Sequence, residues 1–442
     1  MHAMRHPALA HPRHAVFGTP LPPIWPSEPS LAHLEAIARE HLDIPADNPC
    51  TIDRFADGAF NKLYTIASDT LTKQYLIRVA LPVEPRLKTL SEVATIELVR
   101  THATELVPRI SAYSADAAVS GLGYEWMLME NMHGGPLEDC WEGMEWEAKV
   151  ALMKTLVGVL GKLYGHPLEG IGNIYPTPHS STISATATIG PIVSTMFFWD
   201  DHYELDVPRG PFRCSHDWLR ALLQFTLNNC AKTLAQRAAE DDPDPDDEDE
   251  REEALLTQAL VKRLVRLLPR IFPLPGADSV EPTALRHDDL TCHNLLADGA
   301  GQLTGIVDWE CVSALPLWCV CTLPQFLRGR TRTEQPYEAT YMRDEDGRIT
   351  ELYAEHVLEW ERTQFRAVLL EEMEHVQPEW VRMYKDPANA LKRDFYEAVI
   401  SCEIELYRRR VGEWVGQVER MSDEEIRTPS GMYKSLEDEL VL

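Results

Sequence analysis

The sequence predicts an α+β chain of two lobes, a small β-rich N-lobe followed by a large, mainly helical C-lobe. Three observations predict it. A chain of 442 residues is too long for one small core. Short apolar strand patterns crowd residues 51 to 132, and amphipathic helical stripes dominate from residue 147 onward. The expected divisions are residues 1–45, an arm and leading helix that are partly disordered, then 46–132 as the N-lobe and 133–442 as the C-lobe.

Met1 to Pro29 is rich in His and Pro and lacks the apolar core of a secretory signal. Prolines at 7, 12, 20, 22 and 23 work against an amphipathic presequence, so a loose arm on a cytoplasmic protein is expected. Thr51 to Phe55, the turn Asp57-Gly58-Ala59-Phe60-Asn61-Lys62, and Leu63 to Ile66 read as strand, turn, strand. Tyr75 to Val79 is a third strand with Arg78 near its end. Glu92 to Val99 opens a helical pattern, and Thr89 to Glu92 spells a capping box that would occupy Glu92 at the helix start. Tyr124 to Met132 is an apolar strand running into Gly134-Gly135, as a hinge between lobes does.

In the C-lobe, Glu147 to Tyr164, Trp218 to Ala235 and Glu253 to Leu268 carry helical apolar stripes. Tyr353 to Glu374 and Lys392 to Met421 read as long charged amphipathic helices. The longest apolar run, Cys311 to Leu327, is interrupted by Pro316 and Pro324, so it is expected as core and not as a membrane span. Between two of the helices, residues 239–253 hold the run Asp241 to Glu250, whose self-repulsion and prolines predict a disordered acidic insertion. That run supplies roughly a third of a net charge of -28, so the remainder is still acidic. An acidic chain disfavours nucleic acid as a partner and is compatible with a cationic small molecule. Nine cysteines form no paired Cys-x-x-Cys motifs, which suits free thiols better than zinc.

The richest stretch is Arg286-His287-Asp288-Asp289-Leu290-Thr291-Cys292-His293-Asn294, followed by Gly305-Ile306-Val307-Asp308-Trp309. Asn294 to Ala297 and Gln302 to Val307 read as strands around the turn Asp298 to Gly301. Such a hairpin would set the Asn294 amide oxygen and the Asp308 carboxylate on one cation. Mg²⁺ is a hard ion that takes these oxygens together with phosphate oxygens and water. Asp289, in the loop before the hairpin, is placed to accept a proton from an incoming hydroxyl. Buried, hydrogen-bonded histidines are an equally simple account of His287 and His293.

His-x-Asp-x-x-x-x-Asn followed by an apolar strand ending in Asp resembles the catalytic and metal loops of the aminoglycoside phosphotransferase family, a branch of the protein-kinase-like fold. Asp308-Trp309-Glu310 stands where protein kinases carry Asp-Phe-Gly. The chain looks like a fungal-type member. The resemblance implies an ATP-dependent transfer of a phosphoryl group to a hydroxyl of a small molecule, with ATP and Mg²⁺. It assigns Asp289 as base, and Asn294 and Asp308 as metal ligands. Nucleotide contacts fall to Gly58, Phe60 and Asn61 in the turn over the phosphates, to Arg78, and to the backbone of Glu130 and Met132 at the hinge. Glu92 aligns as the partner of Arg78, with Glu97 the other candidate. Arg78 departs from the usual Lys, being forked and permanently charged where Lys is a compact point charge. A protein kinase would need an Ala-Pro-Glu after Asp308, and none follows. The remaining alternative is a pseudokinase acting as a binding or scaffold module, which Arg78 and the single glycine of the turn would suit.

Overall fold

Alternating apolar residues close one sheet around a central strand. In the computed structural model, which describes residues 25–177, 187–199, 202–239, 245–276, 279–344, 347–429 and 435–436, β1 (Thr51–Asp57), β2 (Asn61–Ala67) and β3 (Tyr75–Ala80) run antiparallel. They are followed by helix α2 (Leu87–Ala103), β4 (Ile110–Ser114) and β5 (Glu125–Glu130), giving the order β1-β2-β3-β5-β4. Helix α1 (Leu31–His41) lays Leu34, Ile37 and Ala38 on the same core as Tyr64, Ile77, Val79 and Leu128. The edge strand β1 is largely exposed and carries Asp53, Arg54 and Asp57, charges that discourage pairing with another chain. Residues 1–24 of the expected arm lie outside the described residues. From Trp25 the chain is tied down: the Tyr124 hydroxyl donates to the Ser27 carbonyl at 2.6 Å.

The capping box does not form. α2 begins at Leu87, four residues before Ser91, and Thr89 donates instead to the Glu125 carboxylate. That leaves Glu92 in the second turn, free of the helix end and available to the sheet.

The chain divides into two compact units, each assembled from several segments. The first spans Met1–Gly143, Gly172–Asp206 and Cys292–Ala314. It therefore runs past residue 132 and takes in two later stretches, for reasons of packing. The Asn173 side chain donates to Ser91 of α2 at 2.9 Å, and its Oδ1 accepts from Val193 N at 3.1 Å and Ser313 Oγ at 2.8 Å, all buried. Strand β6 (Gly135–Pro136) pairs with Leu295–Ala297, which pairs with Leu303–Ile306. Gly134 makes that pairing possible: at φ +100° a Cβ there would collide with the Ala297 carbonyl and Thr304 Oγ1.

The second unit, Met144–Ile171, Val207–Thr291 and Leu315–Leu442, is mainly helical. Helix Trp146–Tyr164 buries Leu152, Met153, Leu156, Val157 and Leu163. Ser215–Ala238, Pro245–Ile271 and Glu351–Val376 extend the expected helices at one or both ends. Two expectations fail. The acidic stretch is helical from Pro245, with only residues 240–244 outside the description. Asp246, Asp247 and Glu248 sit in the first turn, where the helix dipole favours them, and Arg237 pairs with Asp247 at 2.5 Å and Glu250 at 2.6 Å. The stretch 392–421 forms two helices, Pro387–Ser401 and Glu405–Glu419. Its buried stripe runs Leu391, Phe395, Ala398, Cys402 and then restarts out of phase at Val411, Trp414, Val415, Val418. One straight helix cannot bury both halves.

Candidate active site

β3 is the central strand, so Arg78, paired with Leu63 on one side and Met127 on the other, is 6% exposed. A buried guanidinium is costly unless it is paired. Its partner is Glu92, which α2 presents at 2% exposure, in direct contact with Arg78 Nη2. Arg78 Nη1 also lies 3.8 Å from Asp308 Oδ1 and 3.7 Å from Glu310 Oε2. A second cation joins them. Lys88, one turn before Glu92 on α2, places Nζ 2.6 Å from Glu310 Oε2 and donates to Asn61 Oδ1 at 3.1 Å. Asn61 Nδ2 donates to the same Glu310 oxygen at 2.8 Å. Burial alone would push the Glu310 carboxyl up, but Lys88 and Arg78, with hydrogen bonds from Lys88 and Asn61, hold it well below the usual carboxylate range.

The loop that supplies Asp308 and Glu310 is the end of a hairpin. Asp298 Oδ1 accepts from the backbone of Ala300 and Gln302, each at 2.9 Å, and fixes the turn. The register pairs Leu295 with Ile306, so Val307 N donates to the Asn294 carbonyl at 2.9 Å. Asn294 and Asp308 are thereby brought to the same open end. Asp308 is exposed and left-handed at φ +62°, a region sparsely used by residues other than glycine. Trp309 beside it is buried, and its indole N–H donates to the Ile306 carbonyl at 2.8 Å. The donor set here, one amide oxygen and one carboxylate, fits a hard cation that keeps oxygens from water or phosphate. Among the described residues no group of three or more His, Cys, Asp and Glu is placed to hold a metal. A cation at this hairpin would thus depend on Asp308, the Asn294 side chain and oxygens from outside the protein.

The Asp289 loop belongs to the second unit. Strand Pro282–Arg286 pairs with Leu168–Glu169 and leads into it. Asp289 is exposed, its N–H donates to His287 Nδ1 at 3.3 Å, and its carbonyl accepts from Thr291 N at 2.9 Å. With its amide turned nitrogen-first, Gln325 donates to Asp289 Oδ1 at 3.2 Å and to the Asp288 carbonyl at 3.3 Å. Asp288 is ion-paired to Arg286 at 2.8 Å, so its charge is taken up on the side of Arg286. Arg286 also donates to the Cys319 carbonyl at 3.1 Å. His287 is buried and braces this loop.

The other residues singled out in the sequence are placed as follows. Gly58 N donates to the Asn61 carbonyl at 2.8 Å, closing a tight turn. The Phe60 ring is buried edge-on against Phe198 (5.2 Å) and Trp199 (5.3 Å), and its carbonyl accepts from Leu81 N at 2.9 Å. Glu130 ends β5 and pairs with Lys73 at 2.5 Å. Met132 lies beside Gly305, between β5 and β6. Glu97 is half-buried with burial pushing its carboxyl up, and Arg78 is taken by Glu92. All nine cysteines are unbridged. Two members of the charged cluster, Lys88 and Glu310, were not expected. Their signals were present: Lys88 precedes Glu92 by one helical turn, and Glu310 closes the Asp308-Trp309-Glu310 triplet.

A β-rich unit with a cation on its third strand and its carboxylate on the next helix, and a mainly helical unit with the His-Asp-Asp loop, make a protein-kinase-like α+β fold. Residues 51–319 match the phosphotransferase enzyme family, APH, and the chain belongs to it. It is similar, at 24% identity over 329 residues, to subtelomeric hrmA-associated cluster proteins from two strains of Aspergillus fumigatus. The match covers 66% of this chain, which spans 64% of the length of those relatives. Among solved structures it resembles the ADP-bound aminoglycoside phosphotransferase APH(2'')-Ib, with 11% identity, a TM-score of 0.42, and coverage of 89% of this chain and 99% of that one. A choline kinase from Cryptosporidium parvum gives 12% identity, a TM-score of 0.42, and 90% and 96% coverage. Scores this low add nothing to the assignment, which stands on the elements above and on the family match. Among the described residues no helix is long and apolar enough to cross a membrane.

Proposed function

We propose that the protein transfers the γ-phosphoryl group of ATP to a hydroxyl of a small molecule. The observation that carries this is the buried Arg78–Glu92 pair on β3 and α2, with Asp308 alongside at the end of its hairpin. Arg78 grips phosphate oxygens through its fork, and Glu92 holds the guanidinium in the orientation the strand gives it. The turn at Gly58, Phe60 and Asn61 covers the phosphates with backbone groups, and the backbone of Glu130 and Met132 receives the adenine. Mg²⁺, held by Asn294 and Asp308, would neutralise the charge that gathers on the phosphates. Asp289 accepts the acceptor's hydroxyl proton as its oxygen attacks the γ-phosphorus and the bond from that phosphorus to the leaving ADP oxygen breaks; Gln325 donates to that carboxylate, and His287 holds the loop by accepting from the Asp289 N–H. A cationic acceptor, such as an amino alcohol or amino sugar, suits the acidic chain.

The test is a screen of hydroxyl acceptors with ATP and Mg²⁺, following ADP release and phosphorylated product together. A phosphorylated acceptor whose formation disappears in Asp289→Asn is the expected result. Phosphorylation undiminished in that variant would remove Asp289 from the mechanism, and failure of the protein to bind ATP would favour a binding or scaffold role instead.

A further inference from the structure

Two residues around the metal loop hold left-handed backbone without being glycine: Asp308 at φ +62° and Cys311 at φ +60°. Such conformations persist where the surroundings over-determine them. Between the two lie Trp309 and Glu310, and each is anchored. Trp309 is anchored by its own hairpin through Ile306. Glu310 is anchored elsewhere, to Lys88 of α2 at 2.6 Å and to Asn61 of β2 at 2.8 Å. An Asp-Phe-Gly triplet has no side chain at this third position to make such a tie.

We propose that Lys88 and Glu310 are the positioning pair of the metal loop, through which α2 fixes the place of Asp308. This rests on the reading of Asp308 as a cation ligand. Lys88 and Glu92 stand four residues apart and share one face of α2. That face therefore holds both working parts of the unit, Arg78 through Glu92 and the Asp308 loop through Glu310. Lys88 acts indirectly. It is 2% exposed and its ammonium is engaged by Glu310 and Asn61. A shift of α2 would move the phosphate grip and the metal ligand together.

The experiment compares wild type, Lys88→Met, Lys88→Arg and Glu310→Gln as full-length proteins. ATP binding is measured by calorimetry across a Mg²⁺ titration and without Mg²⁺, and backbone hydrogen exchange is measured without ligand. In Lys88→Met and Glu310→Gln the Mg²⁺ midpoint should rise about 10–100-fold, the usual effect of losing a group that orients a metal ligand. Metal-free ATP binding should change far less, and amides around Trp309 to Cys311 should exchange faster. Lys88→Arg, which keeps charge and donors, should recover part of the midpoint. A merely structural role would instead weaken ATP binding equally with and without Mg²⁺, and that result overturns the proposal. If Lys88→Met does not fold, Glu310→Gln decides. A wild type whose ATP binding ignores Mg²⁺ would remove the cation reading and this proposal with it. A responsive wild type with unchanged midpoints in the folded variants would remove only the Lys88–Glu310 tie.

Discussion

The loop after Ile306 and the loop after Arg286 present acids of the same kind in opposite settings. Around Asp308 the charges are sunk in the unit: Arg78, Lys88 and Glu92 are each under a tenth exposed, and every one has a charged partner. Around Asp289 the two carboxylates are exposed, and Asp289 is held by the His287 ring at its backbone N–H and by the Gln325 amide at its carboxylate. The difference separates two ways of building a site. In the first, the charged groups are part of the buried structure, so none can be removed without loss to the fold. In the second, a carboxylate stands at the surface of a braced loop and is removable at little cost to the fold.

Asp289→Asn should be the largest effect on chemistry and the smallest on stability. Turnover should fall about 10²–10⁴-fold, the usual worth of a general base, while denaturant unfolding stays within about 0.5 kcal/mol of wild type. A clear loss of stability in this variant would break the contrast. Glu92→Ala should do the reverse. It leaves the Arg78 guanidinium buried beside only distant carboxylates, and breaking a buried pair costs about 3–5 kcal/mol. Urea unfolding should show that loss, and calorimetry should show ATP binding lost with it. A Glu92→Ala protein as stable as wild type would place Arg78 outside the buried cluster.

An exposed pair gives the lower end of the scale. Arg263 and Glu419 meet at 2.7 Å with about a third of each side chain exposed. Glu419→Gln should cost no more than about 1 kcal/mol at neutral pH, and less in high salt. The Arg263 hydrogen bond lowers the Glu419 carboxyl below its ordinary value of 4.5. A carboxyl with a depressed folded pKa adds stability above its unfolded pKa and loses it as pH falls through the folded one. The difference between wild type and Glu419→Gln should therefore be present at pH 7 and vanish in acid below that lowered pKa. A difference that grew on acidification would contradict the pairing.

What was legible in the chain divides along similar lines. Strands and the hairpin around Asp298 could be read because their signals are local: alternating apolar residues and a turn of Asp and Gly. The candidate residues on the hairpin came the same way, because Asn294 and Asp308 are set by one short register. Lys88 and Glu310 each carried a local signal, but their contact could not be read, since the partners lie far apart in the chain and meet only once α2 has packed. The capping box failed for a related reason, because Glu125 took Thr89 from a strand the local pattern does not include. The acidic run misled through composition from Pro245 onward: like charges repel in an isolated chain, but Asp246, Asp247 and Glu248 occupy a helix start, and Arg237 pairs with Asp247. The break after Ser401 was visible as a phase jump in the apolar stripe, though no glycine or proline marks it.

The most direct test of the phosphotransferase reading is calorimetric binding of ATP with and without Mg²⁺ to wild type and to Asp308→Ala. The account predicts binding that tightens with Mg²⁺ in wild type and a Mg²⁺ response lost in the variant. ATP bound equally well by both proteins, with the same Mg²⁺ response, would show that Asp308 holds no cation and would contradict it.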